Sequence, residues 1–235
     1  MNTGSVAQRL ADTPGVARTI LGAARAARGM PGADPRAMSH SWLFTGPPGS
    51  GRSLAAIDLA AALMCTDPEE PGCGRCEACR AVLETKQHTD LVLVDPQEVI
   101  IPVDTVREVI GRAASLPTVA PWRVVIFNNA DRLNNNGANA LLKTVEEPPA
   151  RTVIIMCAPS DAPEDFSQTL RSRCRHLYIP SPSVESITAQ LVSEGASDHD
   201  AHLAALTSLR HVGRARRLVN DPAVQKRRAV AINLA

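Results

Sequence analysis

The sequence lacks any run of eighteen apolar residues, and its first residues lack the charged, apolar and small-residue blocks of a secretory signal peptide. We therefore expect neither a membrane-spanning nor a secreted protein, and a cytoplasmic location follows as the default. A strong charge imbalance is also missing, since the formal net charge is +1. That value hides a split, because residues 201–235 carry seven Lys or Arg against one acid. A basic stretch of this size does not by itself indicate nucleic-acid binding.

A lysine is missing from the glycine-rich segment FTGPPGSGRS. The spacing of Gly46, four residues, Gly51 and then a hydroxyl at Ser53, with Gly49 in between, is that of a phosphate-binding loop. Arg52 stands where such loops carry lysine, and its bulkier, forked guanidinium does not place a point charge between two phosphates. An apolar run before the loop and a helical pattern after it supply the strand-to-helix context. We interpret the loop as degenerate, with Ser53 as the residue that would contact magnesium and with at most weak ATP binding.

A pair of carboxylates is missing from the end of a nearby apolar run, RVVIFNNAD. An ATPase of this type needs one carboxylate for magnesium and a second group to orient the attacking water. Asn128 and Asn129 occupy these positions, and an amide neither carries the charge that holds a metal nor accepts a proton from water. Asp131 is the alternative acid, but two residues along a turn would aim it elsewhere. We therefore expect no ATP hydrolysis by this chain alone.

The sequence does contain a regular alternation of apolar runs and helical patterns. The runs SWLFTG, DLVLVDP, RVVIFNNAD and RTVIIMCAP predict buried strands, and the segments between them carry apolar residues at helical spacing. This alternation favours a parallel sheet covered by helices. We predict such an α/β domain over residues 1–180 and a small all-α domain over residues 181–235. The last stretch, PAVQKRRAVAINLA, ends inside a helical pattern without a capping signal, and we expect the chain to be a fragment.

Six cysteines are present, and four of them form the pattern C-x7-C-x2-C-x2-C, namely Cys65, Cys73, Cys76 and Cys79. In a reducing compartment such a cluster points to metal rather than to disulfides, and four thiolates suit a tetrahedral zinc ion. Gly72 and Gly74 flank Cys73 and allow the tight turns of a short zinc-binding loop. We predict a structural zinc module at about residues 65–79, with contact to a partner or to nucleic acid as the alternative role.

Two further motifs carry a resemblance to a known family. The run NALLKTVEEPP, from Asn139 to Pro149, is followed by the triplet Ser172-Arg173-Cys174. Together they resemble the clamp-loader subunits of bacterial DNA polymerase III, which are AAA+ proteins, over about residues 40–220. The first 30 residues match only loosely, and we expect the family's C-terminal helical collar domain to be absent. With its substituted loop and missing acids, the sequence is most similar to the delta-prime subunits rather than to the ATP-hydrolysing gamma/tau subunits.

The resemblance implies an AAA+ domain with a zinc-binding insertion and a helical lid. It implies a non-hydrolysing subunit of the DNA polymerase III clamp loader, which loads the sliding clamp onto primed DNA during replication. Arg173 would be an arginine finger that acts in trans, stabilising charge on the phosphoryl group in a neighbouring subunit's ATP site. Arg216 would match the lid arginine that senses the γ-phosphate in active relatives. The implied partners are the gamma/tau and delta subunits, with the clamp and primed DNA contacted through the assembled complex.

Two alternatives remain open on the sequence alone. The first is an ATP-hydrolysing subunit of the gamma/tau type, which the amides of Asn128 and Asn129 disfavour. The second is a zinc-dependent nucleic-acid-binding protein unrelated to any polymerase. That alternative leaves both NALLKTVEEPP and the Ser-Arg-Cys triplet without an explanation.

Overall fold

The computed structural model describes residues 4–96 and 98–220, which fall into two units. The described part of the first unit runs up to Thr45 and resumes from Arg52 to Ile179, and the second unit contains Gly46–Gly51 and the described residues from Pro180 onward. The helical pattern PAVQKRRAVAINLA begins at Pro222 and lies outside the described residues. Within the part of the chain that the structure describes, none of the helices has the length and apolar character needed to cross a membrane.

A parallel sheet forms the centre of the first unit. Its described strands are β1 (Ser41–Thr45), β2 (Leu91–Val94), β3 (Arg123–Phe127), β4 (Thr152–Ala158) and β5 (Arg175–Tyr178). They lie in the order β2-β3-β4-β1-β5, and all neighbouring pairs are parallel. The three inner strands are buried along their whole length, as expected for a parallel sheet with both faces covered. The carboxyl end of β1, where the glycine-rich loop begins, therefore lies between the ends of β4 and β5.

Helices precede and separate the strands. They are α1 (Val6–Arg9), α2 (Pro14–Ala27), α3 (Arg52–Met64), α4 (Glu77–Arg80), α5 (Val103–Ala113), α6 (Asn135–Glu146) and α7 (Gln168–Arg171). Local signals explain several boundaries: α2 begins at a proline, which is favoured in the first helical turn. The side chain of Asn134 caps α6 by accepting a hydrogen bond of 2.8 Å from the backbone N–H of Gly137.

Two apolar clusters lie on opposite faces of the sheet. Trp42 and Phe44 of β1 point to the face that packs against α2 and α3, whereas Leu43 points to the face covered by α5 and α6. Helix α3 is buried at every position from Ala55 to Met64. Its many alanines leave little side-chain volume, so the helix packs closely on the sheet, and its buried Asp58 accepts a 2.6 Å hydrogen bond from Arg9. These layers hold α3 against the sheet.

β5 is a strand that the sequence did not predict. It is an edge strand of four residues, its two end residues are exposed, and its side chains show no alternation of apolar and polar types. Backbone pairing with β1, from Trp42 opposite Arg175 to Thr45 opposite Tyr178, determines its conformation. Non-local hydrogen bonding of this kind leaves no periodic signal in the sequence.

The second unit contains three described helices, α8 (Val184–Ser193), α9 (Asp198–Thr207) and α10 (Val212–Asn220). Serine side chains cap the first two: Ser183 accepts from the N–H of Ser186, and Ser197 accepts from the N–H of Asp200. The helices pack around a small apolar cluster that contains Ile187, Leu191, Ala201, Ala204, Ala205 and Ala215.

Candidate metal centre, glycine loop and arginine sites

Four cysteine side chains converge after the end of α3. Cys65 follows α3 directly, Cys76 caps α4, Cys79 lies within α4, and Cys73 lies in the connecting turns. The four sulfur atoms all lie within 4.8 Å of one another, with Cys65 Sγ 3.7 Å from Cys73 Sγ and 3.8 Å from Cys76 Sγ. Four sulfurs around one tetrahedral zinc ion would lie about 3.8 Å apart. The donor set and the spacing therefore fit a single tetrahedral metal ion.

The turns of the cysteine loop require glycine. Gly72 and Gly74 have φ of +76° and +73°, in the left-handed region that glycine favours. A Cβ on Gly72 would lie 2.5 Å from Cγ2 of Val6, and one on Gly74 would collide with the carbonyl of Gly4. The backbone N–H of Val6 also donates a 2.8 Å hydrogen bond to the carbonyl of Gly72. The N-terminal segment thus packs directly on the cysteine loop.

Backbone N–H groups donate hydrogen bonds to two of the four sulfur atoms. The backbone N–H groups of Cys76 and Cys79 donate to Cys73 Sγ and Cys76 Sγ, each at 3.4 Å. The hydrogen bond between Cys65 and Cys79 lowers the pKa of Cys65 to about 3 and raises the pKa of Cys79 far above its usual value, so one thiolate is shared by the pair. Thiolates are the metal-binding form of cysteine. The guanidinium of Arg28 donates to the carbonyl of Cys65 at 2.6 Å, a supporting contact that the sequence did not predict because it joins distant segments.

The glycine loop joins β1 to α3. Gly49 and Gly51 have φ of +87° and +89°, and the N–H of Ser50 donates a 3.0 Å hydrogen bond to the carbonyl of Pro47. A Cβ on Gly49 would lie 2.5 Å from Cγ of His211, a residue of the same unit. The backbone turns expected of a phosphate-binding loop are present. The contact with His211, which lies far along the chain, was not predicted from the sequence.

Four residues that the sequence associates with nucleotide binding or hydrolysis lie at the start of α3 and after the end of β3. Arg52 and Ser53 are the first two residues of α3 and are half-buried. Asn128 follows β3, and its N–H donates a 2.8 Å hydrogen bond to the carbonyl of Val94. Asn129 has a left-handed backbone with φ of 51°, which asparagine tolerates better than most residues. Amides, and not carboxylates, therefore stand at the carboxyl end of β3.

Arg173 lies at the surface just after α7. Its Nε donates to Oε1 of Glu146 at 2.5 Å, and its Nη1 donates to the carbonyl of Thr169 at 2.8 Å and to Oγ of Ser172 at 3.2 Å. The side chain is 37% exposed and that of Glu146 is 46% exposed. Three contacts, made through Nε and Nη1, thus hold an exposed arginine in a defined orientation.

The two neighbouring arginines have partners within their own unit. Arg171 donates to Oδ2 of Asp161 at 2.9 Å. Arg175 donates to the carbonyls of Arg36 and Ala37, and its guanidinium lies 5.1 Å from the ring centroid of Trp42. Both side chains therefore support the packing around β5.

Arg216 of α10 makes a two-pronged ion pair with Glu194 of the same unit. Its Nε donates to Oε2 at 2.9 Å, and its Nη2 donates to Oε1 at 2.5 Å. Bidentate pairs of this kind are the stronger form of arginine–carboxylate contact. The sequence does not indicate Glu194 as the partner, because Glu194 follows the end of α8 whereas Arg216 lies within α10.

A comparison with protein families bears directly on these sites. A family model described as DNA polymerase III, delta subunit, matches residues 33–183, which is more than half of the chain. The chain belongs to this family. The resemblance to delta-prime clamp-loader subunits is thereby confirmed, and the chain is a subunit related to the DNA polymerase III clamp loader. Membership is at odds with the alternative of a nucleic-acid-binding protein unrelated to any polymerase.

Curated relatives agree with this assignment. The delta' subunit of Pseudomonas aeruginosa is 35% identical over 165 residues, covering 67% of this chain and 49% of the relative. The delta' subunit of Escherichia coli is 34% identical, covering 71% and 50%. The gamma/tau subunit of Mycobacterium tuberculosis is 33% identical over 72% of this chain and 30% of its own length. The chain thus spans about half the length of the delta' relatives.

Solved structures establish the fold. A gamma subunit-related protein of Thermotoga maritima is 20% identical with a TM-score of 0.50, covering 78% of this chain and 54% of its own. The RuvB Holliday junction branch migration motor of the same organism is 16% identical with a TM-score of 0.53, covering 88% and 60%. The predicted AAA+ type of helix-covered parallel sheet, followed by a small all-α unit, is confirmed.

Proposed function

We propose that this chain is a non-hydrolysing delta-prime subunit of the DNA polymerase III clamp loader. Asn128 and Asn129 carry the proposal, because the described strand end keeps the AAA+ backbone while amides replace both acids. Within the DNA polymerase III holoenzyme, the subunit would complete the ring of ATPase subunits that loads the sliding clamp onto primed DNA. Its partners would be the gamma/tau and delta subunits. A cytoplasmic location and domains over residues 1–180 and 181–235 belong to the same proposal.

Arg173 is the group that we propose acts on a nucleotide, as a finger in the ATP site of a neighbouring subunit. Its contacts are made to Glu146, Thr169 and Ser172, and Nη2 takes part in none of its described hydrogen bonds. The guanidiniums of Arg171 and Arg175 instead contact residues in and around β5, including His176 and Trp42. A delocalised guanidinium that is always charged stabilises negative charge on a phosphoryl group during transfer. Arg173 would do so only in the assembled ring, since the phosphoryl group belongs to another subunit.

The glycine loop would bind ATP weakly at most. Glycines 46, 49 and 51 keep the turns, Ser53 keeps its hydroxyl, and Arg52 keeps a charge without the shape of lysine. Arg216, the counterpart of the lid arginine, is already paired with Glu194.

We also propose that Cys65, Cys73, Cys76 and Cys79 hold one zinc ion with a structural role. Four protein ligands leave no open position for a substrate or an activated water. The ion would instead cross-link the end of α3, the connecting turns and α4. Arg28 and the backbone N–H groups around the sulfurs would support the ligands from outside.

The isolated chain should hydrolyse no ATP above background, because it lacks both carboxylates. The measurement is steady-state phosphate release from purified protein at saturating ATP and magnesium. A turnover that Arg52→Ala abolishes would contradict the proposal and favour the gamma/tau type of subunit, to which the sequence is also similar.

The finger role is tested in a clamp loader reconstituted with Arg173→Ala. Loss of one trans arginine costs on the order of 10³ in rate at the site that it serves. The overall fall in DNA-stimulated ATP turnover should be smaller, because the other sites keep their own fingers, and clamp loading should fall as well.

Arg173→Lys, which keeps the charge but loses the fork, should be only partly active. Arg18→Ala, on the exposed face of α2, is the control. If Arg173→Ala equals the control while the ring still assembles, the finger assignment is wrong.

A further inference from the structure

The contact between Glu146 and Arg173 is a side-chain ion pair that joins two motifs distant in the sequence. Glu146 is the last residue of α6 and ends the NALLKTVEE helix, and Arg173 is the centre of the Ser-Arg-Cys triplet. The pair joins Nε of the arginine to Oε1 of the glutamate at 2.5 Å. A glutamate 27 positions away therefore meets the proposed finger directly.

Both ends of this contact are held by buried neighbours. Val145, next to Glu146, is buried in the cluster beneath α6, and Leu170 anchors α7 in the same cluster. The carbonyl of Thr169, which accepts from Nη1 of Arg173, belongs to that short helix. Glu146 and Thr169 thus present two acceptors from a rigid base to one arginine.

The contacts use a particular part of the guanidinium. Among the described hydrogen bonds of Arg173, Nε and Nη1 are donors, and Nη2 takes part in none of them. Arginine has five N–H donors in a rigid planar fork. Fixing the fork through Nε and Nη1 leaves the two N–H groups of Nη2 for another acceptor. Holding an arginine in this way reduces the conformational entropy that it loses when it engages a phosphate.

We propose that Glu146 is a positioning residue for Arg173, which orients the finger toward the neighbouring subunit's phosphoryl group. This inference rests on the finger role proposed above. Glu146 itself would touch neither nucleotide nor metal, and it would act only through the guanidinium. Because exposed ion pairs contribute little to stability, removal of the carboxylate should leave the fold intact. The effect should therefore be visible in catalysis.

The test is a double-mutant cycle in the reconstituted clamp loader. Glu146→Ala should lower the kcat of DNA-stimulated ATP turnover about threefold to tenfold at the site served, since a misoriented catalytic group loses rate steeply, while KM for ATP stays unchanged. The kcat with Glu146→Gln should lie between those of the unmodified subunit and of Glu146→Ala, because the amide oxygen still accepts from Nε. In the Arg173→Ala background, Glu146→Ala should have no further effect. Glu147→Ala is the matched control, since Glu147 is the next residue and is also exposed.

The outcomes separate this inference from the function on which it rests. If Arg173→Ala lowers turnover and Glu146→Ala does not, or raises it, the positioning role is wrong and the finger stands. An equal loss from Glu146→Ala in the presence and absence of Arg173 also overturns the positioning role, because the glutamate then acts elsewhere. If Arg173→Ala itself has no effect, both proposals fall.

Discussion

Two glycine-containing loops, one at each end of α3, differ in whether the side chains needed for their chemistry are present. The cysteine loop that follows α3 has four cysteine sulfur atoms, all within 4.8 Å of one another, which could hold a metal ion. The glycine loop that precedes α3 has the backbone turns at Gly49 and Gly51, but its neighbouring chemistry has changed to Arg52 and to amides at the end of β3. The turns of a phosphate-binding loop are therefore present in a chain that lacks the lysine and both carboxylates of an ATPase. All four sulfur atoms that a metal ion would need are present, whereas the side chains that nucleotide hydrolysis would need are not.

The glycines themselves differ in the same way. Gly72 is fixed by both its positive φ and a close neighbour, Val6, whereas Gly51 has a positive φ of +89° and open space around its Cα. Gly72 is therefore required both by its backbone conformation and by its packing against Val6. A residue fixed only by φ is needed for the course of the chain alone.

The largest expected effect is loss of the metal from the cysteine loop. Cys79→Ser should reduce the zinc content from one ion per chain to a small fraction, because a serine hydroxyl does not replace a thiolate on zinc. Losing a structural metal ranks among the most destabilising changes, and we expect a local loss of more than about 4 kcal/mol. Hydrogen exchange should become fast in residues 65–85 while the sheet stays protected. Elemental analysis and exchange mass spectrometry measure the two results.

Cys174→Ala is the control for metal content, because Cys174 is a cysteine outside the cluster. It should retain the zinc. Zinc-free protein from a chelator-free, reducing purification of the unmodified chain would contradict the metal assignment altogether.

The next effect compares one glycine from each loop. Gly72→Ala should cost about 2–4 kcal/mol of unfolding free energy, since the left-handed backbone adds about 1–2 kcal/mol of strain and the overlap with Val6 adds to it. Gly51→Ala should cost only about 1–2 kcal/mol, because only the backbone term applies. Urea unfolding of the two variants against the unmodified chain gives both numbers. Equal costs would mean that the N-terminal segment does not press on the cysteine loop in solution.

The smallest effect concerns the glycine loop. Arg52→Lys should tighten ATP binding about tenfold, the equivalent of about 1.4 kcal/mol, because lysine supplies the compact charge that such loops use. Turnover should stay at background, since Asn128 and Asn129 are unchanged. Isothermal titration with ATP and magnesium measures the affinity, with Arg18→Lys as the control. Hydrolysis by the single variant would show that another group supplies the chemistry.

Much of the fold could be predicted from local pattern. The helical pattern that follows the glycine loop became α3, and the apolar runs at β1 to β4 became strands. Such elements can be predicted because a helix repeats its apolar residues every three or four positions, and a buried strand is a short continuous apolar run. β5 was missed because its partner, β1, and not its own residues, holds it in the sheet.

The chemistry of the candidate sites divides along the same line. By itself, the sequence determined the spacing of the four cysteines, the turns at Gly49 and Gly51, the missing acids and the triplet that contains Arg173, because spacing along a chain controls local backbone geometry and residue type controls chemistry. Only the tertiary structure decided which groups face those residues. The partners Glu146, Arg28 and His211 come from segments far away in the chain. Their approach depends on how layers pack, and packing is a sum over many weak contacts that no short stretch of sequence contains.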